Sequence, residues 1–193
     1  MSKGEVVLLD CWASPFCLRA KIALAEKGVE YEARAENLFG GKSDLLLKSN
    51  PSTRKLGLRH HFSHPVLMRE LRQDFIDKKV FDAVCNIWKS KGEVPETAKN
   101  EFIEILKQLE GALGEKDFFG GDSFGFVDVI SIPLTCWFYA VEKFGGFKLE
   151  NECPKFSAWM NKCMQRDTVA RILLDLEKVY EFVIMLRNMF GIE

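Results

Sequence analysis

The sequence lacks both a strong excess of charge and a hydrophobic run long enough to cross a membrane. Its 27 Lys and Arg residues nearly balance 28 Asp and Glu residues, which gives a formal net charge of −1. No overall positive field therefore attracts nucleic acid or an anionic membrane. The longest apolar run, residues 129–141, is shorter than the roughly 20 residues of a spanning helix, and Pro133 interrupts it.

The sequence also lacks paired cysteines and a secretory signal. The six cysteines are scattered, without a C-x-x-C pair or a doublet typical of zinc ligands. This pattern favours free thiols in a reducing compartment over a disulfide framework. The first ten residues place acidic side chains around a short apolar stretch, which is not typical of a signal peptide. We therefore expect a soluble protein of the cytosol, with no metal, nucleic-acid or membrane partner.

Periodicity divides the chain into two parts. Residues 6–9 form an apolar run, residues 15–27 favour a helix, and residues 29–35 alternate as a strand does. Gly28 stands where a helix C-terminal cap is expected. Strand, helix and strand within about 35 residues predict one right-handed βαβ unit.

Helical periods dominate after residue 73. Four apolar stripes predict helices that bury one face in a shared core. The stripes are Ile76, Val80, Val84 and Ile87; Phe102, Ile105, Leu109 and Leu113; Phe156, Met160, Cys163 and Met164; and Val179, Phe182, Val183 and Leu186. The sequence thus predicts a small α/β unit followed by an all-α domain.

The segment C11-W-A-S-P-F-C17 places Ser14 before Pro15 at the predicted start of the first helix. Serine is a favoured N-cap and proline a favoured first helical residue, so a purely structural role is possible. A functional role is also open. A helix N-terminus stabilises anions, and a hydroxyl there can donate a hydrogen bond to a thiolate. The thiolate is the reactive form of a thiol, so Ser14 could activate the sulfur of a bound ligand.

These residues resemble those of the plant tau-class glutathione transferases. The resemblance covers residues 1–55 and residues 74–193. It rests on the stretch from Asp10 to Tyr31 and on the quoted segments L45-L-L-K-S-N-P51, F75-I-D-K-K-V-F-D82, F119-G-G-D-S-F-G-F-V-D128, E152-C-P-K-F-S-A-W159 and K178-V-Y-E-F182. It implies a thioredoxin-like N-terminal unit, incomplete here, and an all-helical C-terminal domain that holds an apolar co-substrate site.

The resemblance also implies roles for individual residues. Ser14 would stabilise the thiolate of bound glutathione, which attacks an electrophilic carbon, so glutathione is a co-substrate and no other cofactor is expected. Lys42 and Lys55, with Leu56, would bind glutathione, the two lysines at its glycyl carboxylate. Cys17 would be a buried thiol without a redox role.

Three further residues are expected to have a role in folding, or a role that the sequence leaves open between folding and substrate binding. Trp12 and Phe16, beside Ser14, either line the co-substrate site or pack in the core. Asp128 would be the third residue of a helix and would reach back to the N-cap backbone, a folding role. The N-cap there would be Gly125, which lacks the hydroxyl half of a capping box.

Residues 56–73 depart from the family pattern. They are too few to supply a cis-proline strand, a hairpin and the Glu-Ser pair that the resemblance places at the γ-glutamyl end of glutathione. Residues 54–72 hold five basic residues and one acidic residue, and all three histidines lie here. The bases that encode residues 61–75, read one nucleotide earlier, can encode P-F-L-P-S-x-P-Y-E-R-A-Q-A-R-F. This string resembles the family's linker and next helix, so our hypothesis is a lost segment plus an out-of-frame stretch. It fails if transcript sequencing finds no longer in-frame form.

Other interpretations of this tract remain open. His60, His61 and His64 could bind a metal, but no partner at ligand spacing supports this and we expect none. The basic residues could contact an acidic partner. Alternatively, Pro65 could adopt the cis bond of the family's strand. The domain prediction is therefore residues 1–55, an aberrant basic connector at residues 56–73, and a helical domain at residues 74–193.

Two functions follow from the resemblance. The first is a transferase that conjugates glutathione to small apolar electrophiles, with activity reduced by the missing segment. The second is a protein that binds apolar ligands without turnover. A homodimer is usual in the family, but it stays open here because the family's interface uses surfaces of the missing segment.

Overall fold

The structure is a computed structural model that describes residues 6–37, 41, 43–49 and 73–192. The chain divides into two compact units, residues 1–62 and residues 63–193. Each unit is described here by itself. The predicted boundaries at residues 55 and 74 fall at or beside the undescribed stretch 50–72, so they stay predictions.

The N-terminal unit contains the predicted βαβ arrangement. Strand β1 (Val7–Asp10) pairs in parallel with strand β2 (Glu32–Ala35), and helix α1 (Pro15–Glu26) connects them. Helix α1 buries Leu18 and Ile22 completely. This confirms the α/β character of the unit.

Strand β2 begins three residues later than the alternation predicts, because the end of α1 uses the intervening residues. The Val29 N–H donates to the Leu24 carbonyl at 2.9 Å, and the Gly28 N–H donates to the Ala25 carbonyl at 3.0 Å. Gly28 has a φ of 62°, in the left-handed region that glycine adopts without strain. These bonds form a Schellman motif, which confirms the predicted cap at Gly28.

A short helix that periodicity did not predict follows β2. Helix α2 (Asp44–Ser49) begins after Ser43, whose hydroxyl accepts a hydrogen bond from the Leu46 N–H at 3.1 Å. Leu46 is buried, whereas Leu45 and Leu47 are partly exposed. Three adjacent leucines show no helical period, which is why the pattern gave no signal.

The second unit is all-helical. Its elements are α3, which consists of a π-helical stretch Phe75–Val80 and an α-helical stretch Phe81–Trp88, then α4 (Glu96–Leu113), α5 (Phe126–Ser131), a 3₁₀ stretch Ile132–Trp137, α6 (Phe138–Gly145), α7 (Leu149–Glu152), α8 (Pro154–Met164), α9 (Asp167–Ala170) and α10 (Leu176–Met189). Helix α3 packs on α4 and α6, α10 packs on α6, and α4 packs on α8.

Three of the four predicted stripes need no correction. The stripes of α3 and α4 are buried throughout, and in α10 Phe182 alone is only half-buried. The stripe of α8 is partly wrong, because Met164 is 43 % exposed and Trp159 is buried instead. Phe156, Trp159 and Cys163 follow the spacing i, i+3, i+7, which is the true buried face of α8.

The long apolar run of residues 129–141 is a core segment. Val141 and Ile132 are fully buried, and the run passes from α5 through the 3₁₀ stretch into α6. Within the part of the chain that the structure describes, no helix combines the length and the apolar character that crossing a membrane requires.

Asp128 occupies the position predicted for it, as the third residue of α5. Its Oδ2 accepts a hydrogen bond from the Gly125 N–H at 2.9 Å, so the acidic half of the capping box is confirmed. Its Oδ1 accepts bonds from the Phe119 N–H at 3.0 Å and the Trp159 indole N–H at 2.8 Å. The carboxylate is fully buried and therefore joins a loop, the start of α5 and the face of α8.

We predict that Asp128→Ala lowers the free energy of unfolding of the helical unit by about 3–5 kcal/mol. Three donors would lose their acceptor, two of them buried, and each unsatisfied buried group costs about 1–3 kcal/mol. Urea unfolding followed by far-UV circular dichroism measures the change. Asp122→Ala, at an exposed position in the same loop, is the matched control. A loss below about 1 kcal/mol would contradict the linking role of the carboxylate.

A substitution at Gly125 tests whether the cap of α5 can be strengthened. The backbone of Gly125 is extended (φ −135°, ψ −169°), and any residue can adopt this conformation. An added Cβ would meet no atom closer than 3.7 Å. Gly125→Ser completes the capping box and should raise the free energy of unfolding by about 0.5 kcal/mol. Gly125→Ala, which adds a Cβ without a hydroxyl, should give no gain in the same urea experiment. Equal effects of the two substitutions would show that the hydroxyl does not cap the helix.

Candidate active site

Ser14 is the N-cap of α1, as the sequence predicts. Its N–H donates to the Cys11 carbonyl at 2.9 Å, which closes a turn at the end of β1. Its own carbonyl accepts the N–H groups of Cys17 at 3.0 Å and Leu18 at 3.1 Å. Pro15 follows as the first helical residue. The serine is thus held at the positive end of the helix dipole by its backbone alone.

The hydroxyl of Ser14 does not cap the helix. It makes no hydrogen bond to a backbone N–H of the first turn. The hydroxyl lowers the pKa of the Cys17 thiol, one turn along α1, because it stabilises the thiolate form. The side chain is half-buried, so it is also accessible in part from outside. The Ser-Pro pair therefore begins the helix through the backbone of Ser14, and the hydroxyl is not used for capping.

Cys17 is a buried thiol, as predicted, and it ties the turn together. It is 3 % exposed. Its sulfur accepts the Cys11 N–H at 3.3 Å and its thiol faces the Leu9 carbonyl at 3.9 Å. Burial raises the pKa of the Cys17 thiol above its ordinary value, despite the opposing bonds from Cys11 and Ser14. Such a thiol is a poor nucleophile, which agrees with the absence of a redox role for it in catalysis.

The two aromatic residues beside Ser14 differ in their surroundings. Trp12 is 45 % exposed, which argues against the core-packing interpretation for this residue. Phe16 is half-buried, and the Arg19 guanidinium lies 4.9 Å from its ring centroid. Trp12 therefore fits the interpretation of a pocket wall better than Phe16, because the Arg19 guanidinium already covers a face of the Phe16 ring.

An ion pair that the sequence gave no reason to expect lies under the turn. The Lys21 Nζ is 2.6 Å from Oδ2 of Asp10, and the two side chains are only 19 % and 13 % exposed. It joins the end of β1 to the second turn of α1 and so fixes the entry to the helix. The residues are eleven positions apart and become neighbours only through the fold, so neither helix nor strand spacing could reveal the pair.

The remaining predicted site residues lie outside the described part of the chain. These are Lys42, Lys55 and Leu56, with the three histidines and Pro65 of the basic tract. Their roles stay predictions. Within the described residues, no group of three or more His, Cys, Asp or Glu side chains is placed to hold a metal ion.

Comparison with known protein families gives two matches. Residues 4–81 match the glutathione S-transferase N-terminal domain, and residues 63–167 match the glutathione S-transferase C-terminal domain. The two matches overlap at residues 63–81.

Individual relatives are similar over nearly the whole chain. A probable glutathione S-transferase of Nicotiana tabacum is 45 % identical, with 100 % of each chain covered. Glutathione S-transferase U19 of Arabidopsis thaliana is 46 % identical over 97 % of this chain and 98 % of that protein. A rice glutathione S-transferase solved in complex with glutathione has a TM-score of 0.89 and 38 % identity, over 99 % of this chain and 100 % of that chain. A tau-class enzyme of mango has a TM-score of 0.83 and 27 % identity, over 96 % and 100 % of the chains.

The alignments also measure how much shorter this chain is. The alignment to the Nicotiana relative extends over 222 positions and covers the whole of both proteins, whereas this chain has 193 residues. The relative therefore has residues at 222 − 193 = 29 or more positions where this chain has none. The number of absent positions agrees with the expected loss of a segment, and its place after Lys55 stays a prediction.

Both domain matches and these relatives lead to one assignment. The chain belongs to the glutathione S-transferase family and, within it, to the plant tau class.

Proposed function

We propose that this chain conjugates glutathione to small apolar electrophiles in the cytosol, with Ser14 as the activating residue and without a further cofactor. The observation that carries the proposal is the Ser14 hydroxyl. It lies half-buried at the N-terminus of α1, makes no capping bond, and lowers the pKa of the Cys17 thiol one turn along the helix. A hydroxyl that stabilises a neighbouring thiolate has the chemistry that a glutathione thiolate requires.

The reaction needs one proton transfer and one bond to carbon. Glutathione's thiol has an ordinary pKa near 8.5, so only a few per cent is thiolate at neutral pH. A hydrogen bond from Ser14 and the positive end of the α1 dipole stabilise the anion and raise that fraction. The thiol proton leaves to solvent, the sulfur attacks the electrophilic carbon, and a carbon–sulfur bond forms while the leaving group on that carbon, chloride in a chlorinated nitroaromatic, departs with its bonding electrons. Ser14 donates a hydrogen bond throughout and forms no covalent bond.

The other proposed contacts position the co-substrates. Lys42 and Lys55 would pair with the glycyl carboxylate, and Leu56 would contact the peptide portion of glutathione. Trp12 supplies apolar surface beside Ser14, with Phe16 behind it. Apolar contacts hold a co-substrate by area and not by specific bonds, which suits electrophiles of varied shape.

Assembly is a separate part of the proposal. Homodimers are typical of the family, and we propose that a homodimer of this chain is weaker than theirs because the shortened region removes interface surface. Sedimentation equilibrium measures this directly. A dimer that persists at nanomolar protein concentration would contradict the proposal.

A second function is favoured by the 29 or more absent positions. If these positions hold the γ-glutamyl end of glutathione, two lost charged contacts at about 1.5–3 kcal/mol each weaken binding by hundreds-fold or more. The helical unit, whose core is built independently, would then bind apolar ligands without turnover.

We predict that Ser14→Ala raises the pKa of the bound glutathione thiol by about one to two units, because a bond to a charged group is worth about 1.5–3 kcal/mol. Turnover at neutral pH should fall about ten- to a hundredfold, and the loss should shrink as pH rises toward the new pKa. Thiolate absorbance and a conjugation assay against a chlorinated nitroaromatic substrate measure both quantities. Folding stability should be nearly unchanged, because the hydroxyl makes no capping bond.

Ser90→Ala is the matched control. It removes a hydroxyl that bonds only the Asn86 carbonyl within α3 and its C-terminal turn. The control should keep wild-type turnover and thiol pKa. Unchanged turnover in Ser14→Ala, in a protein that conjugates glutathione, would contradict the role of the serine.

A further inference from the structure

Two cysteines flank Ser14 and touch across the turn that carries it. The N–H of Cys11 lies 3.3 Å from the sulfur of Cys17. The turn between Cys11 and Ser14 folds the chain back so that residues 11 and 17 become neighbours. Both thiols are free. The catalytic proposal uses neither of them.

We propose that Cys11 and Cys17 form a reversible disulfide that locks this turn and switches off the Ser14 site. The disulfide is argued from the cysteines alone, and its effect on turnover rests on the proposed transferase function. The oxidant is a low-molecular-weight disulfide, such as glutathione disulfide.

The geometry suits a cross-link. A disulfide needs the two side chains to start from neighbouring backbone positions and to point toward each other. The sulfur of Cys17 already lies against the backbone nitrogen of Cys11. That nitrogen is two bonds from the Cys11 Cβ. Burial, followed by the charge of Cys17, raises the pKa of the Cys11 thiol.

Accessibility sets the order of the steps. Cys11 is partly exposed, whereas Cys17 is buried. The Cys11 thiol first loses its proton to solvent, and its thiolate attacks glutathione disulfide, which breaks that S–S bond, forms a Cys11–glutathione disulfide and releases one glutathione thiolate. This glutathione thiolate takes the proton of the Cys17 thiol. The Cys17 thiolate then attacks the Cys11 sulfur, breaks the Cys11–glutathione bond and releases the second glutathione, which is protonated by solvent. One protein disulfide and two glutathione molecules result, so the protein thiols are oxidised and the glutathione disulfide is reduced.

The remaining thiols do not compete within this turn. Cys136, Cys153 and Cys163 are at most 1 % exposed in the helical unit, and Cys85 lies half-buried on α3. Cys11 and Cys17 are the two cysteines of the N-terminal unit. Cys11 and Cys17 therefore differ from the other four cysteines in chain position as well as in their contact with each other.

Oxidation changes what Ser14 faces. In the reduced protein the Ser14 hydroxyl lowers the pKa of the Cys17 thiol, and that thiol faces the Leu9 carbonyl. A disulfide sulfur has no proton to donate and closes residues 11–17 into a ring around Ser14. The turn can then no longer adjust when a glutathione sulfur approaches, so turnover should fall.

The exchange should be slow at neutral pH and faster in mild alkali. Burial raises the pKa of both thiols, and Asp10 adds to this effect at each. Lys21 and the Ser14 hydroxyl lower the pKa of Cys17, and the N–H groups of Ala13 and Ser14 lower that of Cys11, but burial dominates in both. Below these raised pKa values the thiolate fraction grows with pH, so the rate of exchange should grow with it.

The test incubates the full chain with glutathione disulfide, alkylates the remaining thiols and digests with chymotrypsin. Cleavage after Trp12 and Phe16 places the two cysteines on different peptides, which stay joined only by a disulfide. We expect the joined peptides, turnover reduced at least fivefold, and recovery of both by dithiothreitol. Cys85→Ser, the matched control, should behave as the wild type.

Two variants show which cysteine reacts in each step of the exchange. Cys17→Ser should stop at a glutathione adduct on Cys11, and Cys11→Ser should keep full turnover in the presence of the oxidant. Fully alkylated Cys11 and Cys17 in the treated wild type, or joined peptides with turnover unchanged, would overturn the proposal. If the reduced protein has no transferase activity, the proposed function has failed, and the peptide map alone decides whether the disulfide forms.

Discussion

The buried carboxylate of Asp128 is the interaction on which the helical unit depends. It accepts bonds from a loop backbone, from the first turn of α5 and from the indole of α8, and no water reaches it. Apolar packing alone allows helices to slide, whereas three directed bonds to one buried charge allow a single arrangement. The aromatic core around Phe156 and Trp159 is built on that arrangement, with ring centroids 4.8 Å apart.

In the N-terminal unit, backbone hydrogen bonds fix the start of the helix, whereas in the helical unit the side chain of Asp128 does so. The N–H and carbonyl of Ser14 form the turn and begin α1, while the Asp10–Lys21 ion pair holds the helix to the strand. This division leaves the hydroxyl available for chemistry. A cysteine in the place of Ser14 would itself ionise at a helix N-terminus, whereas a serine stays neutral there and donates a hydrogen bond. The protein can therefore activate the thiol of a ligand and not its own.

Elements with a strong period or a distinctive end were predictable from the sequence. The stripes of α3 and α4, the cap at Gly28 and the role of Asp128 all follow from spacing. Met164 was misassigned because apolar residues on both sides of α8 fit the helical period, and only packing shows that Trp159 faces the core. Helix α2 has no period to detect. The Asp10–Lys21 pair depends on how β1 and α1 fold together, which neither residue type nor spacing encodes.

Our central claim is that a chain that lacks a residue at 29 or more positions of its relative still binds glutathione through Ser14. Titration calorimetry of the purified chain with reduced glutathione tests it most directly. The account predicts saturable binding of one glutathione per chain, with proton release that shrinks in Ser14→Ala because the thiol then stays protonated. A folded chain that releases no heat with glutathione, yet binds apolar ligands, would contradict the account and favour the non-catalytic function.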